Sequence, residues 1–254
     1  MSKKVRSFFL IMVLSLLFIP SFTVHAAEQK EVHNQSELKE ALQDENVSTI
    51  ILANDIETTE KINIMRPVTI DGANHTIRYV GTFGSSNSTD NTVWGGIYVL
   101  QVYKTTATIR NIKLTGGNAA LLINGSTVKL EGTIDVSGNG FGGIEIAQGS
   151  GVTETPKLIL DNNSNLINTT EDPSRPTLWV PENTKEVILE IGNLTFTLTA
   201  GEELTLTEIN NLATSADSPE TGDSTDFILS FLTLILIAFA LIIRKRTRKK
   251  LPNS

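Results

Sequence analysis

The residue types that usually carry chemistry are sparse in this chain. It has no cysteine, which removes a thiol nucleophile, a thiolate metal site and a disulfide framework. Its three histidines, His25, His33 and His75, are too few and too scattered for a Ser-His-Asp arrangement or a histidine metal site. Asp71 and Asp161 each adjoin Gly or Asn, which places them in turns, and Arg110 reads as an outward or corner residue paired with a nearby acid. What remains is chemistry of recognition and processing. The polar stretch Gly81–Gly95 (GTFGSSNSTDNTVWG) carries Phe83 and Trp94, whose rings can stack on a sugar or a protein surface. Near the other end stands Ser218-Pro219-Glu220-Thr221-Gly222. There Pro219 sets an extended, bent backbone and Gly222 leaves the Thr221 carbonyl without a neighbouring side chain. The expectation is a chain with no catalytic residue, no metal and no cofactor.

Both termini have the composition of processed segments. Lys3, Lys4 and Arg6 precede an apolar run from Phe8 to Ile19, and Pro20 and a polar stretch lead to Val24-His25-Ala26-Ala27. This is a secretory signal peptide over residues 1–27, cut after Ala26 or Ala27, and His25 leaves with it. After Ser218–Gly222 comes a predominantly apolar stretch, 227–243, and then a basic tail of Arg244, Lys245, Arg246, Arg248, Lys249 and Lys250. Seventeen residues are at the short limit for a spanning helix, and the tail stays cytoplasmic because moving its charges across is unfavourable.

Pentapeptide, apolar span and basic tail in that order resemble the cell-wall sorting signal of Gram-positive sortase substrates, whose common motif is Leu-Pro-x-Thr-Gly. Pro219, Thr221 and Gly222 match, Glu220 fills the free position, and Ser218 replaces the usual Leu. The resemblance implies that a sortase cysteine attacks the Thr221 carbonyl, that Gly222 departs with the tail, and that Thr221 becomes amide-linked to peptidoglycan. The chain then touches the membrane only transiently, through 227–243. A single-pass membrane protein with an accidental SPETG is the competing reading.

Removing the ends changes the charge. The chain has 21 basic and 28 acidic residues, of which 28–221 keep 12 and 26, a net of −14. Such a surface repels nucleic acid and anionic lipid.

The span between the ends must position the aromatic loop. Asn34 can cap a helix over Ser36–Asp44, with Glu37 three residues on and Leu38, Ala41 and Leu42 on one face. The segment 28–46 is accordingly expected to be helical and to cap the domain. Beyond it run short alternating segments separated by Gly, Asn, Ser and Asp, each reading as a strand with one buried face. They repeat: Ile112-x-Leu114-x-Gly116 recurs as Ile134-x-Val136-x-Gly138, Leu121-x-Ile123 as Ile144-x-Ile146, and Val128-x-Leu130 as Leu158-x-Leu160. A period in the low twenties with three strands per repeat predicts one coil of a parallel solenoid. Asn118, Asn139 and Asn162 are expected at its repeated corners.

Ile50-Ile51-Leu52, Val68-Thr69-Ile70-Asp71-Gly72, His75-Thr76-Ile77 and Ile109–Leu114 resemble coils of pectate-lyase-like proteins. The implied fold is an all-β, right-handed parallel β-helix over 47–210 with a short capping helix, a linker over 211–217 and the sorting signal over 218–254. An antiparallel β-sandwich is the alternative, with Leu194–Leu206 as its clearest hairpin. Lyases of that type need stacked carboxylates, usually around calcium, and a basic residue as base. The repeat alignment instead sets Lys113 over Asp135, Leu122 over Glu145 and Lys129 over Ile159. A wall-attached, non-catalytic adhesion module is therefore expected, with an unidentified host or surface protein or glycan as partner. A surface polysaccharide lyase or glycoside hydrolase is the alternative.

Overall fold

The structure is a computed structural model that describes residues 28–81, 97–169 and 175–216. The signal segment, Phe83, Trp94, Ser218–Gly222 and 227–243 lie outside the described residues.

The first described residue, Glu28, opens a strand. Strand β1 (Glu28–Val32) runs parallel to β2 (Val47–Leu52), with Val32 opposite Leu52, so the stretch expected as wholly helical begins as an edge strand. Helix α1 (Gln35–Gln43) follows, entered through Asn34, whose Oδ1 accepts from the Glu37 N–H at 3.0 Å. The Glu37 carboxylate reaches back to accept from the His33 N–H at 2.8 Å and from the Asn34 side-chain amide at 2.7 Å, which ties down the chain entering the helix. Leu38, Ala41 and Leu42 are buried, and Arg66 donates to the Ala41 and Leu42 carbonyls at the other end. A guanidinium there satisfies two terminal acceptors and complements the helix dipole.

Each later turn of chain visits one sheet and then another. Strands β3 (Ile56–Thr58), β4 (Ile62–Ile64), β5 (Val68–Asp71), β6 (Thr76–Tyr79), β7 (Tyr98–Tyr103), β8 (Thr106–Thr115), β9 (Ala119–Asn124), β10 (Thr127–Asp135) and β11 (Gly142–Ala147) lead into β12 (Lys157–Leu160), β13 (Asn165–Ile167), β14 (Leu178–Trp179), β15 (Glu186–Ile191), β16 (Leu194–Thr199) and β17 (Glu203–Leu204). The first sheet is ordered β1-β2-β5-β8-β10-β12-β15-β16, with β3, β6 and β13 joined beside it. The second is ordered β4-β7-β9-β11-β14-β17. Pairing is parallel except for β15–β16 and β14–β17, so the chain is all-β but not an antiparallel sandwich. The hairpin also differs from expectation. Leu194–Thr199 folds back on Glu186–Ile191 across Gly192-Asn193, while Glu203–Leu204 crosses to β14 in the other sheet.

Register follows the repeat. Ile134 lies opposite Ile112, Ile144 opposite Leu121, and Leu158 opposite Val128. Alternation then sends the apolar residues of both sheets into one core that runs from Val32 to Leu212. Long strands β8 and β10 turn a corner at Asn111 and Gly132, both at positive φ (48° and 63°). A Cβ on Gly132 would crowd the Asn111 side chain, and the positive φ strains any other residue there. The next corner is the repeated Gly116 and Gly138, at φ 85° and 75°. Asn139 bonds there to the Gly117 N–H and to the Leu114 and Val136 carbonyls, and Asn118 occupies the same corner one coil earlier. Asn162 lies at the other repeated corner, between β12 and β13, beside the Asn111 and Gly132 corner of β8 and β10.

The last element is a second helix, α2 (Leu206–Ala216), where a linker was expected from residue 211. Thr205 and Glu208 cap it reciprocally, with the Thr205 N–H donating to the Glu208 carboxylate at 2.7 Å, and Ile209 and Leu212 close the last coil. Among the described residues no helix is long and apolar enough to cross a membrane.

Candidate binding surface

Outward positions of the first sheet carry the charges that a polysaccharide lyase would need. Asp71, Arg110 and Glu131 are neighbours in one column, and Arg110 Nε donates to Asp71 Oδ2 at 2.8 Å. The other Asp71 oxygen accepts from the Ala73 N–H at 2.9 Å, so this carboxylate serves both an ion pair and a turn. Lys113 and Asp135 are in register and bonded at 2.9 Å. Lys129 faces Ile159 in register, but its ammonium reaches diagonally to Glu131 at 2.7 Å and Asp161 at 3.0 Å.

Proton affinities follow from those contacts. Hydrogen bonds to Glu131 and Asp161 push the Lys129 ammonium up, the reverse of what a general base near neutrality needs. The same Lys129 holds the Asp161 carboxyl below its ordinary value. Partial burial pushes the Asp135 carboxyl up, but hydrogen bonds from Ser137 and Lys113 outweigh it and leave the group below the usual range. Each of these groups has an oppositely charged partner within hydrogen-bond distance. Among the described residues no group of three or more His, Asp or Glu is arranged to hold a metal. His33 and His75 do approach one turn, His33 beside Asn54 at 3.3 Å and His75 beside Asp55 at 3.4 Å.

The depressed Asp135 carboxyl gives a pH prediction. A lowered folded value means stability that is present above the unfolded carboxylate value, about 4, and lost as pH falls through the still lower folded value. Lys113→Met removes one of the bonds responsible, so the Asp135 titration followed by carbon NMR moves upward and acid unfolding begins at higher pH. A titration unchanged by the substitution means that the pair is not formed.

The second sheet carries a different surface. Register sets Gln101, Leu122, Glu145 and Trp179 side by side facing away from the core. Tyr98, Ala119, Leu122, Ala147 and Trp179 form a separate apolar cluster there, with Phe141 against Trp179 edge-on at 4.8 Å. The Tyr98 hydroxyl donates to Glu145 at 2.6 Å, and Lys61 stands over the Tyr98 ring. Trp179 points outward as its neighbours require, yet it is only 9 % exposed. Ile97, the first described residue after the candidate loop, adjoins Tyr98 of this cluster in sequence. Sequence alternation alone did not single out Tyr98, Phe141 and Glu145. The uninterrupted apolar run Ala119–Ile123, buried throughout, was the available signal of a strand covered on both faces.

Residues 29–215 match the family described as "Putative pectate lyase-like adhesive domain". No curated protein and no solved structure matches the chain.

Proposed function

The chain belongs to the pectate lyase-like adhesive domain family, and from that membership we propose that it is a non-catalytic binding module fixed to the wall of a Gram-positive cell. Export removes residues 1–27 at Ala26 or Ala27, and a sortase joins Thr221 to peptidoglycan and discards the segment containing 227–243. The support for anchoring is the ordered triplet of Ser218–Gly222, apolar stretch and basic tail. The support for a right-handed parallel β-helix is the parallel register kept from β2 to β15.

The observation that carries the non-catalytic reading is the pairing of Asp71 with Arg110 and of Asp135 with Lys113. A carboxylate that binds calcium or shares a proton with substrate must be available, and these are committed to neighbouring cations. Recognition falls instead to the Gly81–Gly95 stretch with Phe83 and Trp94, which shortly precedes Tyr98 in sequence.

The test is release of unsaturated sugar from a panel of uronic-acid polymers, with and without calcium, followed by absorbance. No release is expected in either condition. Calcium-dependent turnover abolished by Asp71→Asn or Arg110→Ala contradicts the reading. On an array of matrix proteins and glycans, Trp94→Ala is expected to weaken the strongest signal by about 1–3 kcal/mol.

A further inference from the structure

The outer face of the first sheet has a threonine-rich floor beside the ion pairs of Lys129. Its register stacks Thr49, Thr69 and Thr108 in one column, ending at Lys129, and Thr106 with Thr127 in the next. Adjacent strands are about 4.8 Å apart and alternate residues about 6.6 Å apart along a strand, so these hydroxyls form a flat grid. A shallow groove of about 430 Å³ runs over it, lined by Pro67, Thr69, Thr106, Thr108, Thr127 and Lys129 among others. Within the structure the Thr69, Thr106, Thr108 and Thr127 hydroxyls have no hydrogen-bond partner among the described residues.

The occupant is indicated by how little chain separates the described domain from its proposed attachment point. The last helix ends at Ala216, and the proposed attachment residue is Thr221. The five residues 217–221 span at most about 18 Å when fully extended. A tether that short keeps the domain against the polymer that holds it, at an effective concentration on the order of millimolar or higher, so a weak contact is enough to be populated. The chemistry of the groove selects within that polymer. The Lys129 ammonium is committed to Glu131 and Asp161, and residues 28–221 carry a net of −14, so phosphate- or uronate-rich chains are disfavoured. Unengaged hydroxyls in two rows offer donors and acceptors to an uncharged chain bearing hydroxyl and acetamido groups.

We propose that the threonine face of the first sheet docks the amino-sugar glycan strands of the wall to which the chain is tethered, so that covalent attachment is reinforced by non-covalent seating. This rests on the wall-anchoring reading above for its choice of ligand.

The probe is purified Gram-positive peptidoglycan sacculi stripped of protein and of anionic wall polymers. Full-length chain in non-ionic detergent is sedimented with them across a range of sacculus concentrations. Wild type is expected to sediment saturably, and Thr106→Ala/Thr108→Ala to bind about tenfold or more weakly. Thr106→Ser/Thr108→Ser, which keeps the hydroxyls, is expected to bind as wild type does. The same variants are melted by circular dichroism, so that loss of folding is not read as loss of docking. No sedimentation of wild type, or equal sedimentation of the Ala and Ser pairs, overturns the proposal. Muramidase release of the chain from cells reports covalent anchoring separately: a chain that sediments with sacculi but is never released that way leaves docking intact and defeats the anchoring reading.

Discussion

Ile134→Asp is expected to destabilise the domain by roughly 3–5 kcal/mol, the cost of putting an unpaired charge in place of a stacked core side chain. Ile134 is 1 % exposed and sits between Ile112 of the preceding strand and Leu166 of the following one. No basic side chain of the core cluster is available there to neutralise a carboxylate, since no member of that cluster carries a charge. Ile134→Ala, which leaves a cavity without a charge, should cost about 2–5 kcal/mol. Thr133→Asp is the control. It changes the adjacent residue, which is exposed on the other face of the same strand, and is expected to leave the melting temperature nearly unchanged. Thermal melts followed by circular dichroism read all three. An Ile134→Asp variant that melts with wild type would put Ile134 on the surface and move the whole register by one residue.

Thr221→Ala is expected to abolish wall linkage. The acyl group transferred in sortase chemistry is the carbonyl of the motif threonine, and the side chain removed is the one the matching motif position specifies. Export and folding depend on residues far from it, so the variant is expected to be made and exported in normal amounts. It should then be found in the membrane fraction, held by 227–243, or in the medium. Wild type should resist boiling in detergent as part of the wall and be freed by muramidase. A Thr221→Ala chain still bound to peptidoglycan after that boiling rules out attachment through this residue.

The fold was legible where local signals and the repeat agreed. Ile112/Ile134 and Leu121/Ile144 could be aligned because each coil turns its corner on a glycine, Gly116 or Gly138, held at positive φ. Helix α1 could be read from Asn34 and Glu37 because capping is a local exchange of hydrogen bonds. Strand β1 could not, since Glu28–Val32 is mostly charged or polar and becomes a strand only by pairing with β2, a partner set by the fold. Helix α2 carried a readable cap in Thr205 and Glu208 and an apolar spacing in Leu206, Ile209, Leu212 and Ala213, both of which the expected linker from residue 211 passed over.

The charged surface divides in the same way. Lys113 over Asp135 followed from the repeat, because both occupy the same position of successive coils. Lys129 aligned with Ile159, and its true partners were hidden because a long side chain reaches diagonally to Glu131 and Asp161. The cluster of Tyr98, Phe141 and Trp179 was hidden for another reason. Alternation assigns one strand face to solvent, and that rule fails where the outer face is covered as well.

Mass spectrometry of the muramidase-released chain tests the central claim most directly. The expected C-terminal peptide ends at Thr221, with the mass of a wall peptide added through an amide and with Gly222–Ser254 missing. A released chain that retains Gly222–Ser254, or one whose C-terminus at Thr221 is a free carboxylate, contradicts attachment by transpeptidation and returns the protein to the class of membrane-held or shed proteins.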